Sequence, residues 1–370
     1  MTDVTTLFRK PSGIYLLNHS VGLMPTGLAQ HLGQAVFKPW EADTENVWPQ
    51  WLGLIDEFRQ CLARLFNHES ANFCPQPSVS SGATKILYSL PELNKRPTIL
   101  IAEQAFPSLG FVFDLANRSG FKTKYIPKSE NTQDSAVWER YMTDDVGLVL
   151  ITHVHSNTGE CLPVKTIAEA ARRHGVLSMI DTAQSNGVIP IDLKDWSVDF
   201  VIGSCVKWLC GGPGAGFLWV HPDVLPRTKP IDVGWFSHQD PFEFDIHHFE
   251  YAEDAMRFWG GTPAILPYAA ATFSINQMLD IGIDTIRHHN LKLTQRLIDG
   301  LPADRVFSPK DALSRSGTVV VAADADKDKL HQKLSDAGIS FDHRENGFRL
   351  SPHIYNTAGD LDAAIACLTN

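Results

Sequence analysis

The stretch from Val176 to Val220 constrains this chain more than any other. It reads V-L-S-M-I-D-T-A-Q-S, then V-D-F-V-I-G-S-C-V-K-W-L-C-G-G-P-G-A-G-F-L-W-V. Val176–Ile180 and Phe200–Ile202 are short apolar runs that end in polar residues, the pattern of parallel strands buried on both faces. Asp181 closes the first run. Lys207 lies just past the second, in a loop that turns on Gly211, Gly212, Pro213, Gly214 and Gly216. Upstream, Thr98–Ala102 and Val146–Ile151 read as further buried strands, with a helix over Pro163–His174 before the return to Asp181. Such β/α alternation predicts an α/β fold with a doubly wound, mainly parallel sheet. Ligands of open α/β sheets collect beyond the carboxyl ends of the strands, so Asp181 and Lys207 both point at the expected site.

The pair carries a specific chemistry. A lysine amine can condense with an aldehyde and later yield its place to an amino-acid amine. A carboxylate beneath a pyridine nitrogen keeps that ring protonated and able to absorb a carbanion's electrons. Pyridoxal 5'-phosphate requires both. Either residue alone would be ordinary; two strand ends followed by a glycine-rich loop favour the cofactor. Its phosphate is expected at Ala83 and Thr84 of Ser78-Val-Ser-Ser-Gly-Ala-Thr84, ahead of a helix over Lys85–Leu90. There a glycine lets backbone N–H groups turn toward an anion at the positive end of the helix. The same segment also reads as an N-cap by Ser81 with no ligand.

Asp181-Thr-Ala-Gln184, Ser204-Cys-Val-Lys207-Trp-Leu-Cys-Gly-Gly-Pro-Gly, Gly234-Trp235-Phe-Ser-His238 and Phe258-Trp-Gly-Gly-Thr262-Pro263 together resemble the class V aminotransferase-type enzymes. Among them the kynureninases are most similar, and the resemblance runs from Tyr15 to Asn356. It implies the PLP-dependent transferase fold, with a small C-terminal α/β domain after the large one. The expected division is 1–45 as an N-terminal segment bordering the site, 46–285 as the cofactor domain and 286–370 as the small domain. It implies Lys207 and Asp181 as catalytic residues, with Phe106 stacked on the pyridine. Ser108, Thr152 and Gln184 would contact the cofactor, and Ser20 and Arg349 the substrate. Arg349 would grip the α-carboxylate, as a planar guanidinium suits. Trp235 and Thr262 would reach the phosphate of a neighbouring subunit, which implies a homodimer. The implied reaction is hydrolytic Cβ–Cγ cleavage of an L-amino acid, releasing alanine; an aminotransferase or amino-acid lyase is the alternative. Read alone, Phe106 would serve equally as core, Trp235 as a loop anchor and Arg349 as a surface-strand residue.

Three positions depart from the kynureninase pattern. Val206 stands where a tyrosine precedes the lysine, Gln184 where a histidine follows the aspartate, and Leu109 where an acid follows Phe-Pro-Ser. Gln184 can hydrogen-bond the cofactor but cannot titrate. His153 and His155 stand two apart without a third ligand, so no metal is expected.

The net charge of −10 argues against nucleic-acid and anionic-membrane surfaces. Met1–Lys10 lacks an apolar core of signal-peptide length, and the six cysteines show no metal spacing. A cytoplasmic protein with reduced thiols is expected.

Overall fold

The computed structural model describes residues 4–42, 46–322 and 327–369. Its first eight strands are β1 (Ile14–Tyr15), β2 (Phe73–Gln76), β3 (Thr98–Ala102), β4 (Lys122–Ile126), β5 (Val146–Thr152), β6 (Leu177–Asp181), β7 (Phe200–Ser204) and β8 (Gly216–Val220). Seven of them form one sheet in the order β2-β8-β7-β6-β5-β3-β4. Strands β3 to β7 run parallel, and β8 is antiparallel to both of its neighbours. The Lys207 loop explains that reversal: a connection this short closes a hairpin but cannot cross over to a parallel strand. All seven residues of β5 are buried, as a strand covered on both faces must be.

Helices cover both faces. Trp48–Leu65 and Leu266–Ile281 lie on one, burying Phe58, Leu62, Tyr268 and Ile275 against Val149 and Ile151. Val79–Leu87 and Pro107–Leu115 lie on the other, burying Ile86, Leu87 and Phe113 against Leu148 and Leu150. This is the expected α/β class with its doubly wound, mainly parallel sheet.

Several elements differ from expectation. The helix expected over Lys85–Leu90 runs over Val79–Leu87 instead, because Ser78 caps it: its Oγ accepts the Ser81 N–H at 3.1 Å. Near the N-terminus a short helix, Leu28–Leu32, runs into a π-helical stretch, Gly33–Phe37. Leu266–Ile281 was not foreseen. Its apolar residues are spread around the helix, so no amphipathic stripe announces it.

The C-terminal part holds β9 (Val319–Val321), β10 (Ile339–Ser340), β11 (Asp342–Arg344) and β12 (Gly347–Leu350). An antiparallel sheet β11-β12-β9 packs with the helices Ile283–Asp299, Lys327–Asp336 and Ala358–Thr369 around Leu293, Leu297, Leu334, Phe348 and Leu361. Strand β1 pairs in parallel with β10, so the N-terminal segment is tied to this unit. We propose the three-part division on the strength of that separate core. The expected boundary at 285/286 falls inside the helix Ile283–Asp299, and residues 43–45, at the other boundary, lie outside the described ones.

Four histidines, His19, His153, His155 and His353, are buried. Burial holds His19, His155 and His353 down at about 4, and His153 at about 3. They stay neutral in the fold, while the unfolded chain protonates them below about pH 6.5. The unfolded state therefore binds more protons below that point, and stability falls as pH drops from about 6.5 toward 4. Each group contributes up to about 1.4 kcal/mol per pH unit. The melting temperature should decline steeply below about pH 6.5 and hold level above it. A flat profile down to about pH 5 would contradict the neutral burial of these rings.

Candidate active site

The carboxyl ends of β3, β5, β6 and β7 open on one cavity of about 250 Å³. Phe106, Ser108, Thr152, Asp181, Gln184 and Lys207, all expected from the sequence, line it. Asp181 ends β6 directly opposite Thr152, which ends β5. The Ala183 N–H donates to Asp181 Oδ1 at 2.9 Å. Burial raises the Asp181 carboxyl; that N–H bond and the charge of Lys207 work the other way. Lys207 shows the complement. Desolvation lowers its amine, Asp181 partly opposes this, and Arg349 and Arg344 lower it further. The result is an amine less basic than an ordinary lysine, facing a buried carboxylate whose charge burial disfavours. Lys207 Nζ stands 5.6 Å from the centroid of the Phe106 ring, which sits at the N-cap of Pro107–Leu115 and is more than one-third exposed.

Ala83 and Thr84 do not line the cavity; they lie within the Val79–Leu87 helix. Ala83 is in the core, and Thr84 Oγ1 donates to the Ser80 carbonyl at 2.9 Å. The lining residues are Ser78, Val79 and Ser80, one turn earlier. The Ser78 hydroxyl stands 3.1 Å from that of Ser80 and 2.9 Å from that of Ser81. Free N–H groups, hydroxyls and the helix dipole thus meet at one mouth of the cavity, a combination suited to a phosphate. A serine N-cap three residues before Ser81 was the signal that would have placed this helix start.

The N-terminal segment closes over the lysine loop. The Gly22 N–H donates to the Val206 carbonyl at 2.8 Å, and a Cβ on Gly22 would stand 2.2 Å from the Lys207 carbonyl oxygen. Only glycine allows that approach. Gln184 Nε2 donates to the His19 carbonyl at 3.0 Å, and Gln184 Oε1 accepts from Trp208 Nε1 at 3.4 Å. Ser20 is exposed and stands outside the cavity lining. Arg349 is buried, its Nη1 donating to the carbonyl of Ser156, a lining residue, at 3.0 Å. Trp235 packs among Trp48, Phe236, Phe242 and Phe244, and Thr262 is exposed; neither lines this cavity. His19 and Asp342, both beside Arg349, were missed: no local pattern links residues so far apart in the chain.

The residues fit pyridoxal 5'-phosphate. A lysine amine made less basic by burial, a buried carboxylate, an exposed aromatic face and a helix N-terminus line one cavity. Thr152 Oγ1, buried and without a hydrogen-bond partner, is a group that a ligand would satisfy.

Comparison with known proteins agrees. The family model for aminotransferase class-V matches residues 54–363. Kynureninase from Deinococcus radiodurans is 30% identical over 371 residues, covering 95% of this chain and 88% of that protein. The uncharacterized aminotransferase YcbU of Bacillus subtilis is 28% identical over 326 residues, covering 86% of this chain and 84% of that protein. The cystine C–S lyase C-DES, solved with its product cysteine persulfide, superposes with a TM-score of 0.87 at 23% identity, covering 96% of this chain and 97% of that one. Cysteine desulfurase from Thermococcus onnurineus NA1 gives a TM-score of 0.84 at 20% identity, covering 96% and 94%. These two likenesses concern the fold.

Proposed function

The chain belongs to the class-V aminotransferase family, with pyridoxal 5'-phosphate as cofactor, and from that premise we propose that it is a kynureninase-like hydrolase. It would cleave the Cβ–Cγ bond of an L-amino acid carrying a side-chain ketone and release alanine. The supporting observation is that kynureninase relatives match nearly the whole chain.

When bound, the cofactor supplies an aldehyde for the amino group and a protonated ring that takes up electron density from Cα. The protein's groups do the rest. Asp181 holds the ring proton in place, and its own charge is then balanced. Lys207 Nζ, its basicity reduced by burial, accepts and returns the proton at Cα. The Ser78–Ser80 turn binds the phosphate, Phe106 covers the ring face, and Ser108, Thr152 and Gln184 offer it hydrogen bonds. Arg349 orients the substrate through its carboxylate. Trp235 and Thr262 serve the cavity of the second subunit of a homodimer. The exposed Ile231, Val233, Phe242, Phe244 and Ile246 beside Trp235 give that contact an apolar surface. The cysteines are free thiols, which suits a reducing compartment, and we place the enzyme in the cytoplasm.

The second reading, an aminotransferase or amino-acid lyase, is favoured by Val206 and Gln184, which bring no titratable group to the cavity. A desulfurase is disfavoured: the only cysteine after Cys210 is Cys367, whose Sγ donates to the Lys333 carbonyl at 3.7 Å in the terminal helix. Holoenzyme mixed with kynurenine or 3-hydroxykynurenine should release a fluorescent anthranilate and alanine in equal amounts. No anthranilate, with conversion of the cofactor to its amine form by other amino acids, would move the assignment to a transaminase.

A further inference from the structure

Arg349 does not meet a substrate as a free cation. Its Nε donates to Asp342 Oδ1 at 2.6 Å and its Nη2 to Asp342 Oδ2, while Nη1 is turned to Ser156. The β11–β12 hairpin builds this pair in, because its register sets Asp342 directly opposite Arg349. A side-on carboxylate occupies one edge of the guanidinium and cancels its charge, leaving one further hydrogen on each Nη for an incoming carboxylate. An arriving carboxylate therefore meets a neutral pair unless a second positive charge appears.

Four other titratable groups lie near this pair. His343, next to Asp342 on β11, sets its ring edge-on against Phe348 and feels the Asp342 charge without an ion pair to it. Lys207, on the loop after β7, is committed to the cofactor. Arg344 stands 3.9 Å from Asp342 Oδ2, at the edge of the pair, with its side chain partly in solvent. His19, from the N-terminal segment, is buried, and its Nε2 lies 3.5 Å from Asp342 Oδ1 without a hydrogen-bond partner. Its Nδ1 is 2.6 Å from Ser351 Oγ, which is 2.7 Å from Thr318 Oγ1. Each hydroxyl can donate or accept, so this chain can reverse direction when Nδ1 gains a proton. The imidazole thus has an anion on one side and a reversible acceptor on the other, a setting in which either charge state is satisfied.

We propose that His19 is a positioning residue of the substrate-carboxylate site, taking up one proton as a carboxylate reaches Arg349, with Asp342 holding the two cations side by side. The idea rests on the reading of Arg349 as the carboxylate clamp. In the empty site burial keeps the ring neutral, down at about 4, against the pull of Asp342. An added anion within about 5 Å, at an effective dielectric constant of about 20, raises that value by roughly two pH units. Carboxylate binding then draws a proton between about pH 4 and 6, and affinity falls as pH rises through that range.

The test uses the holoenzyme and 3-phenylpropionate, a carboxylate without an amine to react with the cofactor. Calorimetry at about pH 5.5 in buffers of different ionisation enthalpy should show uptake of more than half a proton per carboxylate bound. The Kd should rise about fourfold between about pH 5.5 and 7, where the probe stays ionised, and level off toward the upper end. His19→Asn and His19→Gln, with the cofactor absorbance confirming an intact cavity, should bind without proton uptake and with a level pH profile. Proton uptake unchanged in these variants, or absent from the wild type, overturns the proposal while leaving the clamp in place. Probe binding that survives Arg349→Gln overturns the clamp itself. Should both His19 variants fail to fold, the His19 ring nitrogens of 15N-histidine-labelled wild-type protein decide: their resonances should move to imidazolium values on adding the probe, and no movement rejects the idea.

Discussion

Replacing Lys207 with alanine should lower turnover by at least about ten-thousandfold, because the nucleophile and the Cα proton carrier disappear together. No other residue can take its place. Lys207 is the one amine among the described residues that line the cavity. The buried Lys85 is spent elsewhere, donating to the carbonyls of Phe258 at 2.8 Å and Trp259 at 2.6 Å. The variant should fold well, since burial disfavours the Lys207 charge and its removal relieves that cost. The measurement pairs turnover with the visible absorbance of the enzyme-linked cofactor, which should vanish while the melting temperature shifts by no more than a few degrees. Turnover above about one per cent of wild type would remove Lys207 from the mechanism.

Asp181→Asn should cost about a thousandfold in kcat, equivalent to about 4 kcal/mol of transition-state stabilisation. The substitution keeps the shape of the side chain and an oxygen for the Ala183 N–H, so β6 and its turn remain. What it removes is the negative charge, in a site where burial magnifies its worth. Without it the pyridine nitrogen loses its proton near neutral pH, and the ring becomes a poor electron acceptor. The loss should fall on kcat, with KM changed by less than about tenfold, because Arg349 still holds the carboxylate. A kcat within threefold of wild type would show that Asp181 only terminates a strand.

Much of this architecture is legible in the residues because buried parallel strands are continuous apolar runs. Thr98–Ala102 appears in the structure with the limits its composition predicts, and Val146–Ile151 gains one residue. Functional groups at the ends of such strands inherit that legibility. Asp181 and Thr152 close strands, Phe106 and Ser108 follow one, and Lys207 follows another. The Ser78–Thr84 segment was ambiguous for a local reason. Three serines and a glycine offer several helix starts, and the choice of Ser78 moved the anion-binding turn away from Ala83 and Thr84.

The residues by themselves determine the sheet, the placing of Asp181 and Lys207 at one cavity, and the cofactor, since each depends on neighbours a few positions away along one strand or turn. The substrate end was decided only by tertiary structure. His19 meets Ser351 across 332 residues of chain, and Asp342 faces Arg349 through the register of a hairpin whose strands carry no strong pattern. A charge reads as a free clamp in sequence, but its counter-charge is set by how distant segments pack. Only the folded chain shows that the arginine at the substrate end is already paired.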